Sequence, residues 1–242
     1  MPDRAFADPR LAEVYDPLDP DRSDLDAYAA LAEELGARTV LDVGCGTGTL
    51  ACLLAGRGLA VTAVDPAAAS VEVARRKPGA ELVDWVVGDA GSLPPLSVDL
   101  VTMTANVAQV FVTDAAWAGT LAAARAALRP GGHLVFESRD PARRAWEEWD
   151  RARSHTSAVV AGVGRVETWV EVLEVTGDLV TFRWTFVFDR DGAVLTSEST
   201  LRFRTRDELV ASVTAAGLVV TDVRDAPDRP GRELVVLARR PV

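Results

Sequence analysis

The stretch that decides the fold of this chain is residues 40–50, VLDVGCGTGTL. A short apolar run leads into a turn with three glycines, and a helix-forming stretch follows the turn. Glycines between a strand and a helix let a ligand approach the backbone, because no side chain blocks it. A tight turn with a purely structural role can have the same sequence. The segments that follow therefore decide whether this turn binds a ligand.

Two acids close the next two apolar runs. Asp65 stands 21 residues after Gly44, at the end of the second predicted strand, and Asp89 ends the third. In open α/β sheets, ligands bind beyond the carboxyl ends of the strands. We therefore expect an adenosine-containing ligand, with Asp65 accepting the ribose hydroxyls and Asp89 or the Ala90 backbone meeting the adenine amino group.

Strands and helices alternate through the first two thirds of the chain. The predicted strands cover 39–43, 60–64, 82–87, 98–103 and 132–138, and the predicted helices cover 48–57, 67–77, 114–129 and 141–151. The strands are continuous apolar runs rather than strict alternations, which is typical of a parallel sheet covered by helices on both faces.

The pattern changes after about residue 155. Three extended, β-branched and aromatic stretches, over 166–175, 179–188 and 194–203, predict an antiparallel meander. A capping box at 205–208 then opens a helix, and two strands follow near 218–224 and 233–239. The predicted fold is a doubly wound, seven-stranded Rossmann-like α/β sheet with an inserted small antiparallel sheet.

This pattern divides the chain into three parts. Residues 1–36 form an N-terminal cap or lid, and residues 37–150 with 205–242 form the ligand-binding α/β domain. Residues 151–204 form the inserted sheet, which we expect to shape a substrate site, act as a lid or mediate oligomerisation. An exposed edge of that sheet leaves pairing of two copies open.

Composition excludes several classes of function. The chain of 242 residues has 36 acids against 26 bases and a net charge of −10, which disfavours nucleic acids and anionic membranes as partners. Its two cysteines, Cys45 and Cys52, suggest neither a disulfide framework nor a zinc site, so no metal is expected. Without a signal sequence or a membrane-spanning run, the expected location is the cytoplasm.

Five motifs together resemble the class I S-adenosylmethionine (SAM)-dependent methyltransferases. They are residues 40–50, Val64-Asp65-Pro66, Gly88-Asp89-Ala90, DLVTMTANVAQVF at 99–111 and LRPGGHL at 128–134. The resemblance runs from about residue 36 to 138 and resumes for the last helix and strands. It implies SAM as the cofactor, S-adenosylhomocysteine as its product, and a seventh strand antiparallel to the others.

The same resemblance implies a set of cofactor-binding residues. The N-terminal segment around Tyr15 often closes over the cofactor in such proteins, and Thr104 and Asn106 would pass near the sulfonium. The full set is Tyr15, Gly44, Cys45, Gly46, Asp65, Pro66, Asp89, Ala90, Thr104 and Asn106.

No catalytic side chain is obvious, because methyl transfer needs mainly an aligned nucleophile held near the methyl carbon. The fifth predicted strand ends in Glu137, Arg139 and Asp140. Either acid could steer an amine or act as a base, and Arg139 could bind a carboxylate. His155, at the entry to the inserted sheet, is a further candidate base. Trp146 and Trp149 would share one face of the predicted helix and either shape an apolar substrate site or pack in the core against the inserted sheet.

The expected activity is transfer of a methyl group from SAM to oxygen or nitrogen of a small molecule. A non-catalytic SAM-binding module stays open, since no base is evident. A protein or nucleic-acid methyltransferase is disfavoured by the acidic charge and by Thr104-Ala105-Asn106-Val107, where amino-methylating relatives carry Asn/Asp-Pro-Pro-aromatic. A nicotinamide dehydrogenase is disfavoured because the glycines lack the two-residue second gap of the dinucleotide fingerprint.

Overall fold

The computed structural model describes residues 2–242. Within them the chain forms eleven strands, β1 to β11: Thr39–Val43, Ala60–Asp65, Val83–Val87, Val98–Met103, Leu128–Arg139, Thr156–Val160, Gly164–Thr176, Leu179–Phe188, Ala193–Arg202, Val219–Asp225 and Glu233–Arg239. It forms eight α-helices, α1 to α8: Arg4–Ala7, Pro9–Leu18, Asp24–Glu34, Thr49–Gly56, Ala68–Ala74, Asp114–Ala127, Arg151–Ser154 and Arg206–Ala215.

The main sheet has seven strands in the order β10-β11-β5-β4-β1-β2-β3. The five strands from β5 to β3 are parallel, and β11 runs antiparallel to both β5 and β10. The strand order reverses between β1 and β4, so the glycine turn after β1 lies at the switch point where such sheets bind ligands. The predicted fold class is confirmed.

Helices cover both faces of the main sheet. On one face Trp117 and Leu121 of α6 pack over Phe136 of β5. On the other face Leu25 of α3 and Leu54 of α4 pack over the opposite side chains of the same strands. Because the central strands β1 and β4 are buried on both faces, their residues are mostly apolar without strict alternation.

The inserted sheet has four strands in the order β6-β7-β8-β9 and lies between β5 and α8 in the chain. The sequence predicted three of them and missed β6. One face of this sheet is apolar: Phe186 and Phe188 pack on Leu11 and Val14 of α2. Within residues 2–242, each of the outer strands β6 and β9 pairs with one strand only, and pairing of two copies there stays a prediction.

The N-terminal arm, residues 2–22, is helical and joins the two sheets. The Ala5 N–H donates to Ser197 Oγ of β9 at 2.8 Å. Ser70 Oγ of α5 donates to the Phe6 carbonyl at 3.0 Å. The arm therefore contacts the inserted sheet on one side and a helix of the main domain on the other.

The predicted helix over 141–151 is wrong. Two 3-10 turns, over Pro141–Arg143 and Ala145–Glu148, precede the short helix α7. Arg144 interrupts the segment because it adopts a left-handed conformation with φ of 46°. Packing explains the departure: Trp146 and Trp149 lie against Phe203, at 4.6 and 6.2 Å between ring centroids.

In residues 2–242 we find no helix with the length and apolar composition required to span a bilayer.

Candidate active site

The glycine turn after β1 is shaped by packing at two positions and left open at the third. A Cβ added to Gly44 would lie 2.6 Å from Val107, and one added to Gly48 would lie 2.4 Å from Trp85. Gly46 has φ of 53°, and nothing lies within 4 Å of its Cβ position. The space above Gly46 is a cradle into which a ligand can descend onto the backbone.

Asp65, at the end of β2, supports this turn. Its Oδ2 accepts the Gly46 N–H at 2.9 Å, and its Oδ1 accepts the Ala67 N–H at 2.7 Å. An ionised carboxylate has about four acceptor positions, so about two stay available for the vicinal hydroxyls of a ribose. Burial raises the pKa of Asp65, and the two N–H donors act against that rise.

The remaining predicted cofactor residues line the same edge of the sheet. Pro66 and Asp89 are exposed, Ala90 is half-buried and Thr104 is buried. One carboxylate oxygen of Asp89 accepts the Gly91 N–H at 2.9 Å, which leaves the other free for an adenine amino group. The donors and acceptors at this edge fit an adenosine, so the geometry agrees with the cofactor that the motifs implied.

Cys45, also in the glycine turn, stays a neutral thiol. Burial raises its pKa, and the charges of Asp42 and Asp65 raise it further. A thiol in this state can line the cradle but is a poor nucleophile.

The N-terminal arm is fastened to the glycine turn. Thr47 Oγ1 donates to Asp16 Oδ1 at 2.7 Å, and Lys77 Nζ lies 2.7 Å from Asp16 Oδ2. The neighbouring Tyr15 ring lies 5.7 Å from the ring of Phe6, and burial raises the Tyr15 pKa. The structure therefore holds Tyr15 in α2, next to the residue that fastens the arm to the glycine turn.

A second polar group lies at the carboxyl end of β5; we call its members Tyr28, Asn106, Glu137 and Glu233 the acid cluster. Glu137 is 6% exposed. Its Oε2 accepts the hydroxyl of Tyr28, and its Oε1 accepts the Asn106 N–H at 3.0 Å. Asn106 Nδ2 donates to Glu233 Oε1 at 3.3 Å.

The acid cluster adjoins the glycine turn. Val107, whose side chain faces Gly44, is the residue after Asn106. Asn106 is 4% exposed, and its Oδ1 has no hydrogen-bond partner. Ala105 and Asn106 both have left-handed backbones, with φ of 53° and 61°. A buried acceptor without a donor, on a strained loop beside a ligand cradle, indicates a functional site.

The two carboxyl groups of the cluster have different surroundings. Glu233 faces two guanidinium groups, with Arg229 Nη1 at 2.8 Å and Arg139 Nε at 3.6 Å. Glu137 accepts only from neutral donors. Burial raises the pKa of Glu137 to about 7, the charge of Glu233 contributes to that rise, and the Asn106 N–H opposes it. At neutral pH Glu137 can both take up and release a proton.

Arg139 forms one wall of this region. Its Nη1 donates to Gln109 Oε1 at 3.1 Å, and its guanidinium carbon lies 5.5 Å from the centre of the Trp149 ring. Burial lowers the pKa of Arg139, but a guanidinium stays charged at any physiological pH. The wall therefore offers a positive charge next to an aromatic surface.

Two of the predicted catalytic residues, Asp140 and His155, lie apart from the acid cluster. Asp140 caps the turn after β5, where its Oδ1 accepts the Ala142 N–H at 2.9 Å. His155 is exposed, and its Nε2 lies 3.2 Å from Glu167 Oε2. Its ring also lies 6.1 Å from the Trp169 ring. Trp169 points to one face of the inserted sheet, and Val170 points to the other face, where it packs with Phe182 and Phe203.

Sequence reasoning missed several polar residues of the site. Tyr28 lies among apolar residues of α3 and Glu233 opens the last strand, so neither stands out in the sequence as a polar site residue. Asp42 was missed as well: it is buried, accepts from Thr102 Oγ1 at 2.8 Å, and has its pKa raised by burial to about 6. A polar side chain inside an apolar run was the available signal, and it could have singled out Asp42 as it did Glu137.

Comparisons with known proteins agree with this site. Residues 40–132 match the family model described as a methyltransferase domain. The chain is 32% identical over 170 residues to the cypemycin N-terminal methyltransferase of a Streptomyces species, covering 68% of this chain and 67% of that protein.

Two solved structures share the fold over almost the whole chain. A SAM-dependent methyltransferase from Clostridium acetobutylicum superposes with a TM-score of 0.75 at 18% identity, covering 96% of this chain and 98% of its own. SAM-bound CalS10, an amino pentose methyltransferase from Micromonospora echinaspora involved in calicheamicin biosynthesis, superposes with a TM-score of 0.68 at 25% identity, covering 91% and 93%. With the cradle at Gly46 and the carboxylate of Asp65, these likenesses establish that the chain belongs to the class I SAM-dependent methyltransferases and uses SAM as its cofactor.

Proposed function

We propose that this methyltransferase transfers the methyl group of SAM to an amine nitrogen of a small molecule, and that Glu137 accepts the proton that the amine must lose. One observation carries the proposal. Glu137 is a buried carboxyl group with neutral donors only, and it lies beside the glycine turn through Asn106 and Val107.

The chemistry selects nitrogen over oxygen. Bound SAM supplies a methyl group on a positively charged sulfur, and that sulfur keeps the bonding electron pair when the carbon–nitrogen bond forms. A free amine has the lone pair that this displacement needs, but an alkyl ammonium does not. A carboxyl group with a pKa of about 7 can take a proton from an ammonium, whereas an alcohol is far too weak an acid for it.

Asn106 and Arg139 complete the acceptor site. The unpartnered Asn106 Oδ1 can accept an N–H of the same amine and so orient its lone pair. Arg139 and Trp149 offer a charged edge and an aromatic face to the rest of the molecule. Because the inserted sheet and the N-terminal arm flank this region, a small acceptor suits it better than a folded macromolecule or a nucleic acid.

The names of two relatives support a nitrogen acceptor. One is an N-terminal methyltransferase and the other an amino pentose methyltransferase. For the cofactor we propose that Gly44, Gly46 and Asp65 hold the ribose end of SAM. Asp89 and Ala90 would hold its adenine, and the remaining contacts would come from Tyr15, Cys45, Pro66, Thr104 and Asn106.

A labelled-methyl screen with matched acceptors tests the function. The protein is incubated with methyl-labelled SAM and with pairs that differ only in nitrogen or oxygen, such as glucosamine and glucose, or alanine amide and lactamide. We expect label in amines only. Label in the hydroxyl member of a pair would overturn the choice of nitrogen.

The role of Glu137 has its own test. Glu137→Gln should lower kcat by about 10²- to 10⁴-fold, the usual contribution of a positioned acid or base, and leave the Kd for SAM unchanged. Glu148→Gln is the matched control, because Glu148 is an exposed acid paired with Arg232 at 3.0 Å. An unchanged kcat in Glu137→Gln would remove the proposed base.

A further inference from the structure

Glu137 and Glu233 are joined by one residue. They lie on adjacent antiparallel strands, where Glu233 stands opposite Arg139 and Val235 stands opposite Glu137. Directly opposite residues share a face, so the two carboxyl groups point to the same side as diagonal neighbours. Asn106 donates its N–H to Glu137 and its Nδ2 to Glu233. The position of either carboxyl group therefore depends on the other.

Of this pair, Glu233 is the carboxyl group that is held by cations. Glu233 is 3% exposed and takes two guanidinium partners, Arg229 and Arg139. In the part of the chain that the structure describes, no cation lies within ion-pairing distance of Glu137, and its two donors are neutral. An ionised neighbour in a buried site favours the protonated form of the second carboxyl group.

We propose that Glu233, acting through Asn106, is a positioning residue for the proton-accepting carboxyl group of Glu137. Glu233 fixes the orientation of that group, and its negative charge raises the proton affinity of the Glu137 carboxylate, which can then take up the proton of an ammonium near neutral pH. This inference rests on the proposed function, in which Glu137 accepts the proton. It extends that function to a residue that itself need not touch the acceptor.

The charged and titratable groups around Glu137 come from four elements. They are Tyr28 on α3, Arg139 on β5, Asp228 and Arg229 in the segment before β11, and Glu233 on β11. Asp228 adds to the negative field and Arg139 opposes it. Removal of the Glu233 charge leaves the cations in excess, whereas removal of Arg229 leaves the anions in excess.

These opposite signs make the test sharp. The δ-carboxyl of Glu137 is followed by NMR in protein labelled with ¹³C at the glutamate carboxyl, and Glu137→Gln assigns the signal. Glu233→Gln should lower the titration midpoint of Glu137 by about one pH unit or more, and Arg229→Gln should raise it. Glu148→Gln, which removes an exposed acid that does not contact Glu137, should leave it unchanged.

A general loosening of the fold would not move the Glu137 titration midpoint in opposite directions in Glu233→Gln and Arg229→Gln. If Glu233→Gln does not fold, as judged by circular dichroism and SAM binding, Arg229→Gln decides, because the Arg229 side chain is 47% exposed and its loss is tolerable. The inference is overturned if the titration midpoint of Glu137 stays the same in every variant of Glu233 or Arg229 that folds.

Kinetics separate this inference from the proposed function. With an amine acceptor, the rising limb of the plot of kcat/KM against pH should move to lower pH in Glu233→Gln. The shift should equal the shift of the Glu137 titration midpoint measured by NMR. If the midpoint moves but the limb does not, Glu233 still controls the Glu137 proton, and Glu137 is not the base.

Discussion

The carboxylate of Asp65 accepts a hydrogen bond from the Gly46 N–H at 2.9 Å, so the acid that ends β2 holds the glycine turn that follows β1. The two motifs that the sequence offered as separate ligand contacts are one structural unit. A change in either should therefore affect cofactor binding through both.

Asp65→Ala should weaken SAM binding by about 1–3 kcal/mol, because the ribose hydroxyls and the Gly46 N–H lose their common acceptor. Folding should survive, since the carboxylate lies at a strand end. Calorimetry with SAM measures the change, and Asp84→Ala, at an exposed position of β3, is the control. An unchanged Kd would place the ribose elsewhere.

Gly46→Ala should reduce SAM affinity by more than its effect on stability explains. A non-glycine residue in the left-handed conformation costs roughly 1–2 kcal/mol, and its methyl group would enter the ligand cradle. Gly36→Ala is the matched control, because Gly36 also has positive φ and nothing within 4 Å of its Cβ position. Equal SAM affinity in the two variants would contradict the cradle.

The stability of the protein should depend on the protonation of Glu137. Its pKa is about 7 in the folded chain and 4.5 in the reference state, so the folded state binds the proton more tightly. The stabilisation is full below about pH 4.5 and is lost as the pH rises through about 7. Relative to Glu137→Gln, the wild type should lose about 3 kcal/mol of unfolding free energy across that window.

Urea unfolding of both proteins at pH 5 and pH 8 measures this difference. Other buried acids, such as Asp42, titrate in both proteins and cancel. A difference that stays constant with pH, or grows in favour of the wild type, would show that Glu137 is not buried as a protonatable acid.

Asp16→Ala should release the N-terminal arm from the glycine turn. It removes the hydrogen bond from Thr47 and the ion pair with Lys77, both at 2.7 Å, together about 1 kcal/mol for partly exposed groups. We expect faster hydrogen exchange in residues 2–22 and weaker SAM binding. Asp26→Ala, which removes an exposed ion pair with Arg57, is the control and should change neither the hydrogen exchange of residues 2–22 nor SAM affinity. Unchanged hydrogen exchange in Asp16→Ala would show that Asp16 does not fasten the arm.

Local patterns predicted the sheet and the cofactor edge because their signals are short-range. The continuous apolar strands, the glycines at 44, 46 and 48 and the capping box at Thr205 each act within a few residues. The helix predicted over 141–151 failed for the opposite reason. Its tryptophans pack against Phe182 of β8 and against Phe203, which follows β9, and both lie much later in the chain.

What the sequence by itself determined is the Rossmann-like sheet, its inserted antiparallel sheet and the acids at the strand ends, because backbone conformation and apolar periodicity are local properties. Only the tertiary structure decided the acid cluster. Asn106 is 31 residues from Glu137 and 127 from Glu233, and the antiparallel register of β11 on β5 brings them together. Burial then makes Glu137 protonatable near neutral pH, and burial is set by the packed chain as a whole.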